Sequence, residues 1–337
     1  SIEPSPLAAE PISPRRILRW VGLAALPSSL LLGSTAHVSM DLAPVPMLWV
    51  VPLALYLVSF ILVFARWPDT LHRFVGRITP MLLVFVVLSL LTSAAEPLGL
   101  IAGMHFALLF CVCLVCHGEL AKERLTSFYL WMSVGGVLGG LFNAILAPVL
   151  FQKLGMVEYP LALALAALVR PRSADTGSPF SRLDGAFLLG LLGLALGLVK
   201  GVPQWVEAPA DANTADALIA RLVRGGPMFG IPAPVAFALV RKPPPLSPPL
   251  ASLLAIGSLD PGELGETLHM ERNFFGVVRV TRSPDGRFLR LVHGSTIHGQ
   301  QRLDEKGPPR PMTYYHERGP VGNLFKSLPA SKVKKVA

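Results

Sequence analysis

The chain has 337 residues, of which 52% are hydrophobic and only 15% charged, with a formal net charge of +9. So apolar a composition excludes an ordinary water-soluble domain, in which about a quarter of the residues are charged. The excess of basic residues falls in short clusters between apolar runs and in the C-terminal tail, a distribution that points to membrane topology before nucleic acid.

A membrane-crossing helix needs about 20 mostly apolar residues, because every backbone polar group in hydrocarbon must be satisfied within the segment. In chain order the candidate spans are Trp20 to Met40, Pro46 to Ala65, Ile78 to Ala95, Leu98 to Cys116, Phe128 to Leu150, Val157 to Val169, Asp184 to Val202 and Pro227 to Val240. The fold class expected is mainly α: a polytopic transmembrane bundle of about eight spans over residues 1–240, followed by a small β-hairpin-rich unit. Pro27 and His37 interrupt the first apolar stretch and no small-residue cleavage site follows it, so a first span is favoured over a signal peptide. Arg15, Arg16 and Arg19 precede the first span, Arg66, Arg73 and Arg77 follow the second, and Lys122 and Arg124 follow the fourth. The loops around Asp41, Glu96 and Glu158 are poor in positive charge, and this alternation predicts both termini in the cytoplasm.

Within the spans, Gly135, Gly136, Gly139 and Gly140 form two overlapping small-xxx-small pairs, a helix-packing signal that also suits a homo-oligomer. In that reading, Gly139→Leu would abolish oligomers. His105, His117, Glu119 and Asn143 are the polar groups in or near spans, and His117 and Glu119 are expected in the headgroup region. Cys111, Cys113 and Cys116 share one apolar run with no partner cysteine elsewhere, which argues against a disulfide framework.

Five prolines between Arg241 and Pro249 mark residues 241–270 as a stiff linker. Residues 271–337 read as the β unit. Phe274 to Thr281 and Arg287 to His293 flank the tight-turn sequence Ser283-Pro284-Asp285-Gly286 and form a hairpin, a further strand starts near Ser295, and Met312 to His316 is a short strand or a helix start. The His-Gly pairs at His293 and His298 lack a carboxylate or Cys at ligand spacing, so no metal site is expected. Turn glycines, Gln amides, a Tyr hydroxyl and a His beside a Glu suit an amine, offering acceptors and an aromatic face to an ammonium.

Tyr315-His316-Glu317, preceded by a hairpin and a Gly/Gln-rich turn, resembles the N-terminal β-domain of spermidine synthases. Leu48 to Leu57, His117-Gly118-Glu119-Leu120-Ala121 and Phe128 to Asn143 resemble the membrane half of bacterial fused membrane-transporter-like/spermidine synthase proteins. The resemblance implies a membrane-anchored aminopropyltransferase in the bacterial inner membrane, with decarboxylated S-adenosylmethionine as co-substrate and a polyamine or related amine as acceptor. It carries over Gln300 or Gln301, together with Tyr315 and His316, as substrate-binding residues, and no catalytic residue. Where standard synthases have Asp-Gly, this chain has His298-Gly299, which removes an acidic group from that turn. The chain opens at Ser1 without Met and stops in Lys332 to Ala337 like a lead-in to a strand, so a fragment preceding a Rossmann-like catalytic domain is expected, inactive without its nucleoside site. The reading from a different class is a transporter-like membrane protein with a binding or regulatory tail.

Overall fold

The computed structural model describes residues 12–42, 45–91, 94–95, 97–123, 127–169, 265–294, 296–305, 307, 310 and 312–328. Helix α1 (Pro14–His37) begins on a proline, whose missing N–H costs nothing at a first helical position, and widens at its far end into a π segment, Val38–Leu42. Helix α2 (Val50–Arg66) stops ahead of Trp67-Pro68. Helix α3 (Asp69–Leu91) then opens with Asp69 in its first turn, where a carboxylate meets the positive end of the helix dipole. Pro97 precedes α4 (Leu98–Ala121). Helix α5 (Ser127–Leu141), a π segment at Phe142–Leu146 and α6 (Ala147–Leu150) run on as one apolar rod, and α7 (Glu158–Ala166) follows. Pro27 lies inside α1 and Pro80 inside α3.

Four helical runs among the described residues are long and apolar enough to cross a membrane: Pro14–Leu42, Asp69–Leu91, Leu98–Ala121 and Phe128–Leu150. The expected eight spans are not supported. The stretch from Pro46 gives only the 17-residue α2, because a turn occupies its first four residues. Val157 to Val169 gives the nine-residue α7, roughly 14 Å long and too short to cross. Asp184 to Val202 and Pro227 to Val240 lie outside the described residues.

The core is a zipper of Leu83, Val84, Val87 and Leu88 from α3 with Leu108, Leu109 and Val112 from α4, closed by Leu30 of α1 and Leu163 of α7. The outward faces of α2, α5 and α6 keep Leu57, Ile61, Leu130, Val137 and Val149 exposed, an apolar girdle that suits lipid and not water.

Helices α1 and α5 meet at backbone distance because two glycines permit it. A Cβ at Gly135 would collide with the carbonyl of Val21, and one at Gly139 with the carbonyl of Ala25. Polar bonds reinforce the contact: Ser28 Oγ donates to the Gly136 carbonyl at 2.8 Å, and Asn143 Nδ2 donates to Ser29 Oγ at 2.6 Å. The Gly135/Gly139 pair is thus occupied within the chain, whereas a Cβ at Gly136 would meet nothing within 4 Å. We expect Gly139→Leu to cost about 1–3 kcal/mol through overpacking, and Gly136→Leu to be near neutral, as read by thermal unfolding in detergent.

The β unit is a four-stranded antiparallel sheet in the order β1 (Glu266–Asn273), β2 (Gly276–Arg282), β3 (Phe288–His293), β4 (Thr296–Arg302). The expected hairpin is β2–β3, with Phe274 and Phe275 in the turn before it. Strand β1 begins inside the stretch read as linker. At the β2–β3 turn the Ser283 hydroxyl and the Arg287 amide both donate to Asp285, holding its carboxyl below the usual carboxylate range. Beyond β4, a 3-10 turn at Thr313–Tyr315 and helix α8 (Pro320–Ser327) replace the strand that Met312 to His316 left open.

Register sorts the sheet into two faces. Val277, Arg279 and Thr281 share one with Arg272, Arg290 and Gln300; Val278 and Val280 share the other with Leu289, Leu291 and Gln301. The first face turns to the bundle. Arg272 Nη2 sits 2.6 Å from Glu158 at the start of α7, with both side chains about 5% exposed or less, and Arg272 Nη1 donates to the Gly155 carbonyl at 2.5 Å. Gly276 and Gly294, both at positive φ, pack against Met40, so the sheet seats on the end of the bundle where α1 finishes and α7 starts.

Candidate functional site

The outer face of the sheet carries an open groove of about 440 Å³, lined in part by Val280, Leu289, Leu291, Gln301, Met312 and Tyr315. Its outer wall stands on a strained residue. Thr313 is β-branched yet adopts φ 62°, a conformation that the surroundings must enforce, and its one hydroxyl hydrogen is shared between the Met312 carbonyl at 2.6 Å and the His298 carbonyl at 3.3 Å. That link folds the 3-10 turn back over β4 and brings Tyr315 to the groove.

Of the residues carried over from the sequence, Gln300, Gln301 and Tyr315 line the groove, and His316 is absent from its lining. The His316 ring instead accepts the Arg318 amide at 3.1 Å, closing a local turn. Alternation separates the two glutamines. Gln301 pairs with Leu289 and Gln300 with Arg290, on opposite faces of the ladder, yet both glutamines and Arg290 border the groove. Val280, Leu289, Arg310 and Met312 also line the groove and were missed by the sequence reading, since only the pairing of β2, β3 and β4 assembles them. No carboxylate lines it among the described residues, and Arg290 and Arg310 do, so an ammonium there would rely on the Tyr315 ring and the Gln301 carbonyl oxygen.

The bundle holds two buried polar clusters, one at each end. At the arginine-rich end Glu119, its side chain fully buried, accepts from Arg19 at 2.6 Å, from His72 at 3.0 Å and from Lys122 at 2.7 Å, while Arg16 pairs with Glu123. Trp67 Nε1 donates to His72 Nδ1 at 3.2 Å, and Gly118 leaves room for that imidazole. His117, one turn-face away, meets Ser59 Oγ at 2.9 Å and stacks on Phe60. Solvation in the headgroup region does not account for His117 and Glu119: α4 runs on to Ala121 and both side chains are buried within the protein, because helices α1, α2 and α3 supply their partners.

At the sheet end, His37 Nδ1 lies 2.9 Å from Asp41 Oδ2, and the His37 ring stacks on Tyr159. His105 Nδ1 meets the Tyr159 hydroxyl at 2.6 Å, and His105 Nε2 meets Ser89 Oγ at 3.2 Å. Helices α1, α4 and α7 thus contribute titratable groups to one partnered line, which Ser89 of α3 closes. No group of three or more His, Cys, Asp or Glu with metal-binding geometry occurs among the described residues. Set beside known proteins, the chain matches no family model, no curated protein and no solved structure.

Proposed function

We propose that the chain is a multi-span, transporter-like membrane protein whose docked sheet binds a small amine at the membrane face opposite the arginine-rich end. The observation that carries the reading is the seating of the sheet. Glu158, Gly155 and Met40, its contacts, belong to the bundle end with few positive charges, while Arg16, Arg19 and Lys122 gather at the other. Lys and Arg are retained on the cytoplasmic side, so this arrangement supports a cytoplasmic N-terminus and an extracytoplasmic sheet. It differs from the cytoplasmic C-terminus expected from span counting, and requires an even number of crossings between Glu158 and Gly265. The buried His105 and Tyr159, with the partly exposed His37 beside them, support a bundle that does more than anchor, because ionisable groups at membrane depth are costly to keep.

The second reading is a membrane-anchored, spermidine synthase-like aminopropyltransferase, favoured by Gln301 and Tyr315 sharing one groove. Its groove would hold the acceptor amine, and the decarboxylated S-adenosylmethionine would need a nucleoside site of its own. That donor is a cytosolic-type metabolite in the resemblance, so the side on which the sheet stands separates the two readings. Single cysteines on the sheet, at Arg287 or Asp304, are expected to react in intact cells with a membrane-impermeant maleimide; protection until lysis would overturn the first reading and favour the second. In either case putrescine binding to the purified chain should weaken about three- to tenfold in Tyr315→Ala and in Gln301→Ala and stay unchanged in His316→Ala, as measured by calorimetry.

A further inference from the structure

A two-residue turn joins β1 to β2, with Asn273 paired to Gly276 across it. Such turns favour Asn, Asp and Gly, whose backbones reach positive φ, and loop tips of this kind ordinarily face water. Here both turn residues are phenylalanines, Phe274 at 67% exposure and Phe275 at 79%, and neither has a positive φ. Phe275 is the most exposed large apolar side chain among the described residues. The backbone is held by the neighbours instead: the Phe275 amide donates to Asn273 Oδ1 at 2.8 Å, and Gly276 takes φ 135°. The fold of the turn thus requires neither ring.

The level of the turn along the bundle indicates what covers those rings. Gly276 packs against Met40, where a Cβ would stand 3.2 Å from the sulfur, and Met40 lies near the end of the membrane-length run Pro14–Leu42. Arg19, which pairs with Glu119 at the other end of the bundle, precedes Met40 by 21 residues. That separation is roughly 32 Å along a helix, close to the thickness of the hydrocarbon layer. A bilayer with one boundary at Arg19 therefore has the other at Met40, and the turn stands at that boundary. Exposed apolar side chains gather at the same end: Met47 and Trp49 ahead of α2, Leu150 at the close of α6, and Leu154 beside the Gly155 that Arg272 caps. Strand β1 also touches α6, so the sheet adjoins the lipid-facing girdle. Aromatic rings concentrate at such boundaries, where an apolar ring and the polar backbone beside it are both satisfied.

We propose that the β1–β2 turn is a membrane-interface anchor, with Phe274 and Phe275 inserted into lipid at the boundary marked by Met40. Lipid is the occupant because the girdle on α2, α5 and α6 already calls for it at this end of the molecule. The anchor is separate from the Arg272–Glu158 pair and from the amine groove, and it holds on whichever side of the membrane the sheet stands.

The test uses full-length chain reconstituted in phosphatidylcholine vesicles, with the photo-crosslinking residue p-benzoylphenylalanine in place of Phe275, of Phe274 or, as a control, of Arg287. Arg287 is exposed in the turn at the far end of β2, roughly 20 Å away along the strand. After irradiation, mass spectrometry is expected to find lipid adducts at least tenfold more abundant at either phenylalanine position than at Arg287. Both replacements keep an aromatic ring, and the Phe274 variant decides the matter if the Phe275 variant fails to fold. Adducts to a second copy of the chain in place of lipid, or a lipid yield at the phenylalanines no higher than at Arg287, overturn the proposal.

Discussion

Glu119→Ala is expected to lower stability by about 3–5 kcal/mol, the largest effect of any single substitution in the bundle. The carboxylate has a fully buried side chain and accepts from three cationic or imidazole donors on α1, α3 and α4. Removing it leaves His72 and Lys122 without their carboxylate and Arg19 with only Glu123 at 4.0 Å, and His72 is itself almost wholly buried. Breaking such a cluster costs more than the cluster contributes, since the orphaned charges keep their desolvation penalty while losing their partner. Arg19 and Lys122 are about 30% exposed and can turn outward, so the lower half of the range applies if they do. Glu119→Gln keeps an acceptor and the volume and should retain part of the stability. The measurement is thermal unfolding of detergent-solubilised chain by size-exclusion chromatography; an Ala variant within 1 kcal/mol of wild type would show that the cluster does not hold this end together.

Arg272→Ala is expected to release the sheet from the bundle. The Arg272–Glu158 pair is buried on both sides, and Arg272 also caps the Gly155 carbonyl, so truncation leaves a carboxylate and a carbonyl buried without a donor, at a cost of about 3–5 kcal/mol. Hydrogen exchange should report it as faster exchange of β1 and of the Phe151 to Val157 loop, with the α3–α4 core unaffected. The double variant Glu158→Ala/Arg272→Ala should be less destabilised than the sum of the single ones, because the second truncation removes the group that the first stranded. Additive effects would mean that the pair is not coupled, and would weaken the placement of the sheet on which the proposed orientation depends.

Legibility in the sequence tracked local signals. Pro97 announced the start of α4, and the Pro-Asp-Gly turn announced β2–β3, because proline and turn residues act on the backbone within a few positions. The end of α4 was placed five residues early, at Cys116, because His117 and Glu119 read as solvent-seeking; only the tertiary partners Ser59, His72 and Arg19 make them interior. Strand β1, Glu-Thr-Leu-His-Met-Glu-Arg-Asn, shows neither alternation nor a β-branched run, and forms because β2 offers it a ladder. The choice between Gln300 and Gln301 could not be read from adjacent identical residues, since it depends on register, and the register is set by three strands together. The absence of His316 from the groove follows from a turn bond to Arg318 that has no sequence signature.

The two prolines inside α1 and α3 have a mechanical consequence. Each removes the amide that would cap the carbonyl one turn earlier, at Leu23 and Gly76, so both long rods carry a weak joint along their length. One side of those joints is cross-braced by the carboxylates of α4, and the other bears the sheet. The described helices therefore have compliant points between the sheet and the Glu119 cluster, and a load applied at the sheet would be taken up as a tilt there before it reached that cluster.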